Sequence, residues 1–159
     1  MRYIFDLDHT VIDSSHRQLT RADGSLDLDH WIENNTPDKI MADKLLPAAA
    51  YMRGKIQAGH EVIICTARVL SQADLTFLFK HGLLCSTILS RPMGDNSRDA
   101  DLKERLLREH AAMTGVPFAR FASTSIMFDD NQGVLSRIQW LGITGHCAIQ
   151  FNKMLATAA

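Results

Sequence analysis

Two aspartates, Asp6 and Asp8, directly follow a short apolar run, Tyr3–Phe5, near the beginning of the sequence. A run this short and this apolar is typical of a buried strand. Carboxylates at the end of a buried strand are costly unless a cation neutralises them. An arginine, a lysine or a metal ion could be that cation, and the rest of the chain has to indicate which one it is.

Apolar runs of strand length recur along the chain and alternate with segments of helical spacing. The runs are Tyr3–Leu7, Val62–Cys65, Thr87–Leu89, Ile126–Phe128 and Ile143–Ile149. Gly59, Gly82 and Gly142 follow three of the intervening segments, where left-handed helix C-caps are usual. Strands that alternate with helices form a parallel sheet with helices on both faces. The sequence therefore predicts an α/β fold, a single Rossmann-like domain over residues 1–159 with a five-stranded parallel sheet.

The polar segment 14–42 interrupts this alternation. Asp23-Gly24 has the composition of a turn, and Thr36-Pro37 has that of a break. Loops of this length are usually functional or disordered. The segment is too small for a large cap domain, so it is predicted to be either a small flap over the end of the first strand or a plain surface loop. The tail from Lys153 is expected to fray.

Polar residues follow most of the predicted strands. In open α/β sheets, ligands bind beyond the carboxyl ends of the strands. The residues at those ends are Asp6, Asp8, Thr10, Thr66, Arg68, Ser90, Arg91, Asp99, Lys103, Asp129 and Asp130. Carboxylates, hydroxyls and cations therefore converge on one edge of the predicted sheet, which is the expected functional site.

At these positions the sequence resembles the haloacid dehalogenase (HAD) superfamily of phosphotransferases. The stretch DLDHT, residues 6–10, matches the first motif of the superfamily, D-x-D-x-T. Thr66, Lys103 and the pair Asp129-Asp130 match the second, third and fourth motifs. Because four motifs stand in order along nearly the whole chain, this resemblance is more specific than a lone D-x-D pair.

The resemblance implies a role for each motif residue. Asp6 would attack phosphorus and form an aspartyl-phosphate, and Asp8 would act as general acid and then as general base. Thr66 would hydrogen-bond the phosphoryl oxygens, and Lys103 would neutralise their charge. The cofactor would be Mg²⁺. Its ligands would be Asp6, Asp8 and Asp130, with Asp129 as a second partner or a ligand through water.

At three further positions the sequence resembles the 3′-phosphatase domain of the phage polynucleotide kinase-phosphatases. Arg68 stands two residues after Thr66, Asp99 stands four before Lys103, and Arg17 stands eleven after the first aspartate. This resemblance implies that Arg17 and Arg68 bind the phosphate or its nucleotide, using their planar guanidinium groups. It also implies that Asp99 orients Arg68 or Lys103. Arg17 could instead be a solvated loop residue.

The resemblance to the kinase-phosphatases covers only their phosphatase half, because the chain contains no P-loop motif. The formal charge of −1 argues against extended binding to a polynucleotide backbone. An excess of 11 arginines over 6 lysines mildly favours a phosphate site. Trp31 in the flap could stack on a base or anchor the flap to the core.

The leading hypothesis is a Mg²⁺-dependent phosphomonoesterase that removes 3′-phosphates from DNA or RNA ends. The alternative is a HAD phosphatase of a free nucleotide or another small phosphorylated metabolite. A third hypothesis is an inactive phosphate-binding module in which Asp6 only pairs with Arg68 or Lys103.

Other features of the sequence predict a cytoplasmic protein with no membrane association and no obligate protein partner. No signal-peptide pattern or membrane-spanning run is present in the sequence. The three cysteines, at 65, 85 and 147, are odd in number and are expected to be reduced thiols. Neither cysteines nor histidines have zinc-type spacing, so no structural metal is expected.

Overall fold

A parallel five-stranded sheet forms the centre of the computed structural model, which describes residues 1–159. The strands are β1 (Arg2–Phe5), β2 (Ile12–Asp13), β3 (Lys44–Leu45), β4 (Glu61–Thr66), β5 (Thr87–Ser90), β6 (Ser125–Asp129) and β7 (Thr144–Cys147). The central sheet has the order β5-β4-β1-β6-β7, and β2 pairs with β3 in a separate antiparallel ladder. This arrangement confirms the predicted α/β fold class and the five-stranded parallel sheet.

Eight α-helices surround the sheet. They are α1 (Leu28–Glu33), α2 (Pro37–Met41), α3 (Pro47–Gln57), α4 (Gln72–Lys80), α5 (Asp99–Met113), α6 (Phe118–Ser123), α7 (Gln132–Trp140) and α8 (Ala148–Ala158). Gly59, Gly82 and Gly142 have φ angles of 75°, 68° and 92°, which confirms their predicted left-handed conformation at helix ends. None of these helices is both long enough and apolar enough to span a membrane.

Both faces of the sheet are buried. Phe5 of β1 lies in a cluster with side chains of α3 and α4, whereas the preceding residue, Ile4, lies in a second cluster with side chains of α5, α6 and α7. Alternate residues of a strand point to opposite faces. Coverage on both sides explains why the strands read as continuous apolar runs in the sequence. It also leaves the strand ends as the place where polar side chains can reach water.

The end of the chain differs from the sequence prediction. The fifth strand stops at Cys147 rather than Ile149, and the expected frayed tail is helix α8. Phe151 and Leu155 pack against the core on one face of this helix. The side chain of Asn152 accepts a hydrogen bond from the Ala48 amide at 2.7 Å, and it donates one to the Thr10 carbonyl at 2.9 Å. These long-range contacts order a segment whose local sequence shows few helix signals.

The segment 14–42 is a flap rather than an irregular loop. It contains a 3-10 turn at Ser15–Arg17 and the short helices α1 and α2. The β2–β3 ladder, with Ile12 opposite Leu45, closes its base. Helix α2 packs against α4, so the flap rests on the main body of the protein next to the carboxyl ends of the strands.

We expect Asn152→Ala to lower the free energy of unfolding by about 2 kcal/mol, because it leaves a buried amide and a buried carbonyl without partners. Urea denaturation would measure this loss. Lys153→Ala, at the exposed neighbouring position, is the matched control and should change stability little. Equal stabilities for the two variants would contradict the anchoring role of α8.

Candidate active site

Three carboxylates meet at the adjoining carboxyl ends of β1 and β6. Carboxylate oxygens of Asp6, Asp129 and Asp130 all lie within 4.8 Å of one another. The Nζ atom of Lys103, from α5, lies 2.9 Å from Asp6 Oδ1 and 2.7 Å from Asp129 Oδ2. The Lys103 side chain is only 2% exposed. The fold therefore places the first, third and fourth motifs of the sequence in direct contact around one buried cation.

One lysine does not balance this much negative charge. Burial raises the pKa of Asp6 to about 7; Lys103 opposes the rise, and the neighbouring carboxylates add to it. Burial, followed by the charge of Asp6, raises the pKa of Asp130 to about 6. Carboxylates with raised pKa values and oxygen donors in close proximity match the ligand preference of a hard divalent cation such as Mg²⁺. The residues present therefore fit a metal site.

Asp129 and Asp130 differ in the hydrogen bonds and ion pairs that their carboxylate oxygens make. Asp129 accepts a hydrogen bond from the Asn131 amide through Oδ1, and Lys103 donates to its Oδ2. Asp129 is completely buried, whereas Asp130 is partly exposed and makes no ion pair. Asp130 therefore has the freer oxygens, and Asp129 is placed to hold the lysine.

Asp8 lies in a different electrostatic environment from Asp6. Arg68 donates to both carboxylate oxygens of Asp8, with Nε 3.1 Å from Oδ2, and the Ser14 hydroxyl donates at 2.6 Å. Burial alone would raise the pKa of Asp8. The charge and hydrogen bonds of Arg68 and the bond from Ser14 outweigh burial and hold that pKa below its usual value. The pKa values of Asp6 and Asp8, the two aspartates of the first motif, are thus shifted in opposite directions.

Arg68 is the centre of a second charge network. Its guanidinium also bonds to Asp74 and lies 3.7 Å from Asp43 Oδ2. Its backbone amide donates to Thr66 Oγ1 at 3.1 Å. Asp74 in turn accepts hydrogen bonds from the amide and hydroxyl of Ser71 in a capping box at the start of α4. Neither Asp43 nor Asp74 was recognised from the sequence, although the Ser71-x-x-Asp74 spacing is a capping-box signal.

Arg17 does not reach the cavity, contrary to the implied substrate contact. It is 1% exposed, and its Nε and Nη2 atoms lie 2.8 and 2.9 Å from the two oxygens of Asp43. Its Nη1 donates to Asn35 at 3.0 Å. Because Asp43 and Asn35 use its donors, Arg17 joins the two ends of the flap. It is not a solvated loop residue either.

Asp99 also has a partner different from the expected ones. It accepts a hydrogen bond from Arg91 Nη2 at 2.9 Å and contacts neither Arg68 nor Lys103. The physical reason is that Asp8 and Asp74 already bind the guanidinium of Arg68, and the two buried carboxylates already bind Lys103. Asp99 lines the cavity with a side chain that is 45% exposed.

Arg91 holds the loop between β5 and α5. Besides Asp99, its side chain donates to the carbonyls of Ala67, Asp95 and Ser97 at 2.8 to 2.9 Å. The sequence placed Arg91 at the sheet edge, but it did not indicate this role. These bonds fasten the loop to the turn that follows Thr66.

A cavity of about 860 Å³ lies over the charged residues. The motif residues line its floor, and its walls include α1 of the flap and the loop 94–97. Trp31 lies on the flap wall, with its ring 4.3 Å from the guanidinium carbon of Arg17 and 5.6 Å from that of Arg68. Trp31 therefore anchors the flap by cation–π contacts and also borders the cavity.

His9 shapes the loop between the two networks. It is the one non-glycine residue with a positive φ, 58°, a conformation that non-glycine residues adopt rarely. Its ring nitrogen Nε2 lies 2.8 Å from Gln18 Oε1. Gln18 donates to the hydroxyl of Ser14, which donates to Asp8. This chain of hydrogen bonds ends on Asp8 Oδ1, the oxygen that also accepts from Arg68 Nη2, and so helps to orient Asp8.

Arg17→Met should lower the free energy of unfolding by about 3–5 kcal/mol, because it leaves the carboxylate of Asp43 buried without its main partner. Chemical denaturation would measure this, with Arg21→Met as the control. Arg21 lies in the same segment, is 51% exposed and makes only a 3.7 Å contact. A raised KM with unchanged stability would instead indicate that Arg17 binds substrate directly.

Comparison with known proteins identifies the family of this chain. The family model of the bacteriophage T5 5′-deoxynucleotidases matches residues 1–159. The chain is 44% identical to the 5′-deoxynucleotidase of Escherichia phage T5 in an alignment of 168 positions that covers 96% of this chain and 69% of that protein.

Solved structures show the same fold. A chain of the Pnkp1/Rnl/Hen1 complex has a TM-score of 0.63 and 23% identity; the match spans 92% of this chain but only 44% of that one. A HAD-superfamily hydrolase from Geobacter sulfurreducens has a TM-score of 0.63 and 12% identity over 92% of this chain and 88% of that one. The predicted HAD membership and hydrolase class are confirmed. The chain is a phosphoric monoester hydrolase of the HAD type, and it belongs to the bacteriophage T5 5′-deoxynucleotidase family.

Proposed function

We propose that this protein hydrolyses the phosphate ester of free deoxynucleoside 5′-monophosphates and uses Mg²⁺ as its cofactor. The observation that carries the proposal is the family match over residues 1–159, together with 44% identity to a 5′-deoxynucleotidase. This substrate corresponds to the alternative expected from the sequence, a free nucleotide, rather than to the 3′-end of a polynucleotide.

The shape of the site supports a small substrate. The cavity has a volume within the usual range for small-molecule sites, and its walls include the flap and the loop 94–97. The likeness to the Pnkp1 complex, at 23% identity, bears on the fold alone. With a formal charge of −1, the chain also lacks the excess of positive charge that favours extended polynucleotide binding.

The residues of the floor can divide the reaction into two steps. A carboxylate oxygen of Asp6 attacks phosphorus, the bond from phosphorus to the 5′ oxygen breaks, and Asp8 protonates the departing oxygen. Water then attacks phosphorus of the aspartyl-phosphate and gives its proton to Asp8, which releases inorganic phosphate and restores Asp6. When bound by Asp6, Asp130 and the neighbouring oxygens, Mg²⁺ would neutralise negative charge on the phosphate group.

Lys103 and Thr66 would both bind the phosphoryl group of the substrate. Lys103 carries a full positive charge because Asp6 and Asp129 keep its pKa raised despite the opposing effect of burial. A buried cation at that point stabilises the charge of the phosphoryl oxygens in the transition state. The hydroxyl of Thr66 accepts a hydrogen bond from the Arg68 amide, so its own hydrogen remains available to a phosphoryl oxygen.

The contact between Asp8 and Arg68 must loosen before Asp8 can act as an acid. An ionised carboxylate has no proton to donate, and Arg68 keeps Asp8 ionised in the free protein. An incoming phosphate monoester adds negative charge beside Asp8, which raises its pKa, and it offers Arg68 a second anion. Substrate binding therefore prepares the general acid.

The substrate assignment predicts a clear order of activities. With Mg²⁺, we expect kcat/KM for deoxynucleoside 5′-monophosphates to exceed that for a 3′-phosphorylated oligonucleotide by at least about a hundredfold. Phosphate release would be measured with both substrates, and EDTA should abolish both activities. Faster release from the 3′-phosphorylated oligonucleotide would overturn the proposal in favour of a polynucleotide 3′-phosphatase.

Asp6→Asn should reduce turnover to background and leave the metal-free protein no less stable. The raised pKa of Asp6 means that its contribution to folding is fully present below about pH 4 and is lost as pH rises through about 7. The variant should therefore gain stability relative to the parent between pH 5 and pH 8 in EDTA.

Thermal denaturation would follow this trend, with the exposed Asp38→Asn as control. Mg²⁺ should raise the melting temperature of the parent more than that of Asp6→Asn. Undiminished activity of Asp6→Asn would refute the covalent mechanism, and equal Mg²⁺ shifts would exclude Asp6 as a metal ligand.

A further inference from the structure

Helix α1 of the flap turns its apolar face toward the cavity instead of the core. Leu28, Trp31 and Ile32 are spaced at i, i+3 and i+4, which places them on one face of the helix. Such a face normally packs against the protein interior. Here no residue of α1 is buried, and all three side chains line the cavity. Leu28 is 59% exposed and Ile32 is 69% exposed.

This apolar face begins beside Arg68, which is paired with Asp8, the group that would face the leaving oxygen. The ring of Trp31 lies against the guanidinium of Arg68, and Arg68 is paired with both oxygens of Asp8. A monoester with its phosphorus at Asp6 and its leaving oxygen at Asp8 therefore directs its organic part toward α1. This step rests on the proposed function, because it takes the roles of the two aspartates from it.

The loop 94–97, which also lines the cavity, is polar and well anchored. Asn96 is exposed on the loop that Arg91 fastens through three backbone carbonyls. Its side-chain amide offers both a donor and an acceptor. An apolar surface that faces a few positioned polar groups is typical of small-molecule sites. A nucleobase has the matching chemistry, because its faces are apolar and its edges carry donors and acceptors.

We infer that the apolar face of α1, formed by Leu28, Trp31 and Ile32, is the nucleobase-binding surface of this enzyme. The guanidinium groups of Arg17 and Arg68 lie next to the ring of Trp31, so Trp31 positions the surface, while Leu28 and Ile32 contribute exposed contact area. The exposed apolar side chains are covered only when a nucleotide is bound. Leu28 and Ile32 thus determine the preference for a nucleotide over a sugar phosphate that lacks a base.

The test compares two substrates that differ only in the base. In the double variant Leu28→Ser/Ile32→Ser, we expect KM for dAMP to rise about tenfold while kcat stays within about twofold. KM for 2-deoxyribose 5-phosphate should not change. Phe79→Ser is the matched control, since Phe79 is 75% exposed on α4 and lies outside the cavity lining. Because the substituted side chains, Leu28, Ile32 and Phe79, are all solvent-exposed, the melting temperatures of the variants should remain near that of the parent.

Three results would contradict the base-binding surface, and they show whether the proposed substrate is wrong as well. An unchanged KM for dAMP in the double variant would show that the base lies elsewhere. An equal rise in KM for both substrates would show that the variant only displaces the flap. If the parent hydrolyses 2-deoxyribose 5-phosphate but no deoxynucleotide, the proposed substrate fails, and the assignment of a base-binding surface fails with it.

Discussion

The buried contact of Lys103 with Asp6 and Asp129 is the interaction on which the site depends. Two adjacent parallel strands end in carboxylates at the same level, and like charges so close together would separate the strand ends without a cation between them. Lys103 reaches that point because α5 crosses the face of the sheet with its apolar side chains in the core. The lysine neutralises only part of the charge, and the remainder is what makes the site suitable for a divalent cation and a phosphate.

A second charge network, centred on Arg68, connects the flap to the main body of the protein through buried ion pairs. Asp8, Asp43 and Asp74 surround this guanidinium, and Asp43 also binds Arg17. These pairs connect the flap to Asp8 through Arg68, so the position of the flap and the charge of Asp8 depend on the same guanidinium group. The flap thus replaces a large cap domain as the wall that faces the substrate. The 29 residues of segment 14–42 are enough for this purpose because buried ion pairs, rather than a core of its own, hold the segment in place.

The fold is shared with solved structures of low sequence identity, so the fold alone does not determine selectivity, and the walls of the cavity are where selectivity has to arise. A solved hydrolase with 12% identity shares the fold with this chain, and the family match covers residues 1–159, including the flap. The flap and the loop 94–97 are also the parts in which local sequence patterns were least informative. Function-specific contacts on such segments are expected when a rigid scaffold supplies the reacting groups.

The sequence by itself determined the sheet, its helices and the positions of the motif residues at one edge. These features follow from local signals, namely apolar runs, helical spacing and glycines after helices, and from the rule that ligands bind at the carboxyl ends of parallel strands. Helix α4 was predicted from its apolar spacing and not from its capping box, α6 was missed, and the end of α8 was interpreted as a frayed tail. Helices α6 and α8 are stabilised mainly by contacts with distant elements, such as that of Asn152 with Ala48.

Only the tertiary structure decided which partner each charge takes. Arg68 and Asp8 are 60 residues apart, and Arg17 and Asp43 are 26 apart. Each arginine has several carboxylates within the same region of the fold, and their competition depends on distances of a few tenths of an ångström and on burial. A motif can place Arg17 and Asp99 near the site, but it cannot tell that Asp43 and Arg91 are their partners. For the same reason, the exposed apolar face of α1 became visible only when the flap was seen against the cavity.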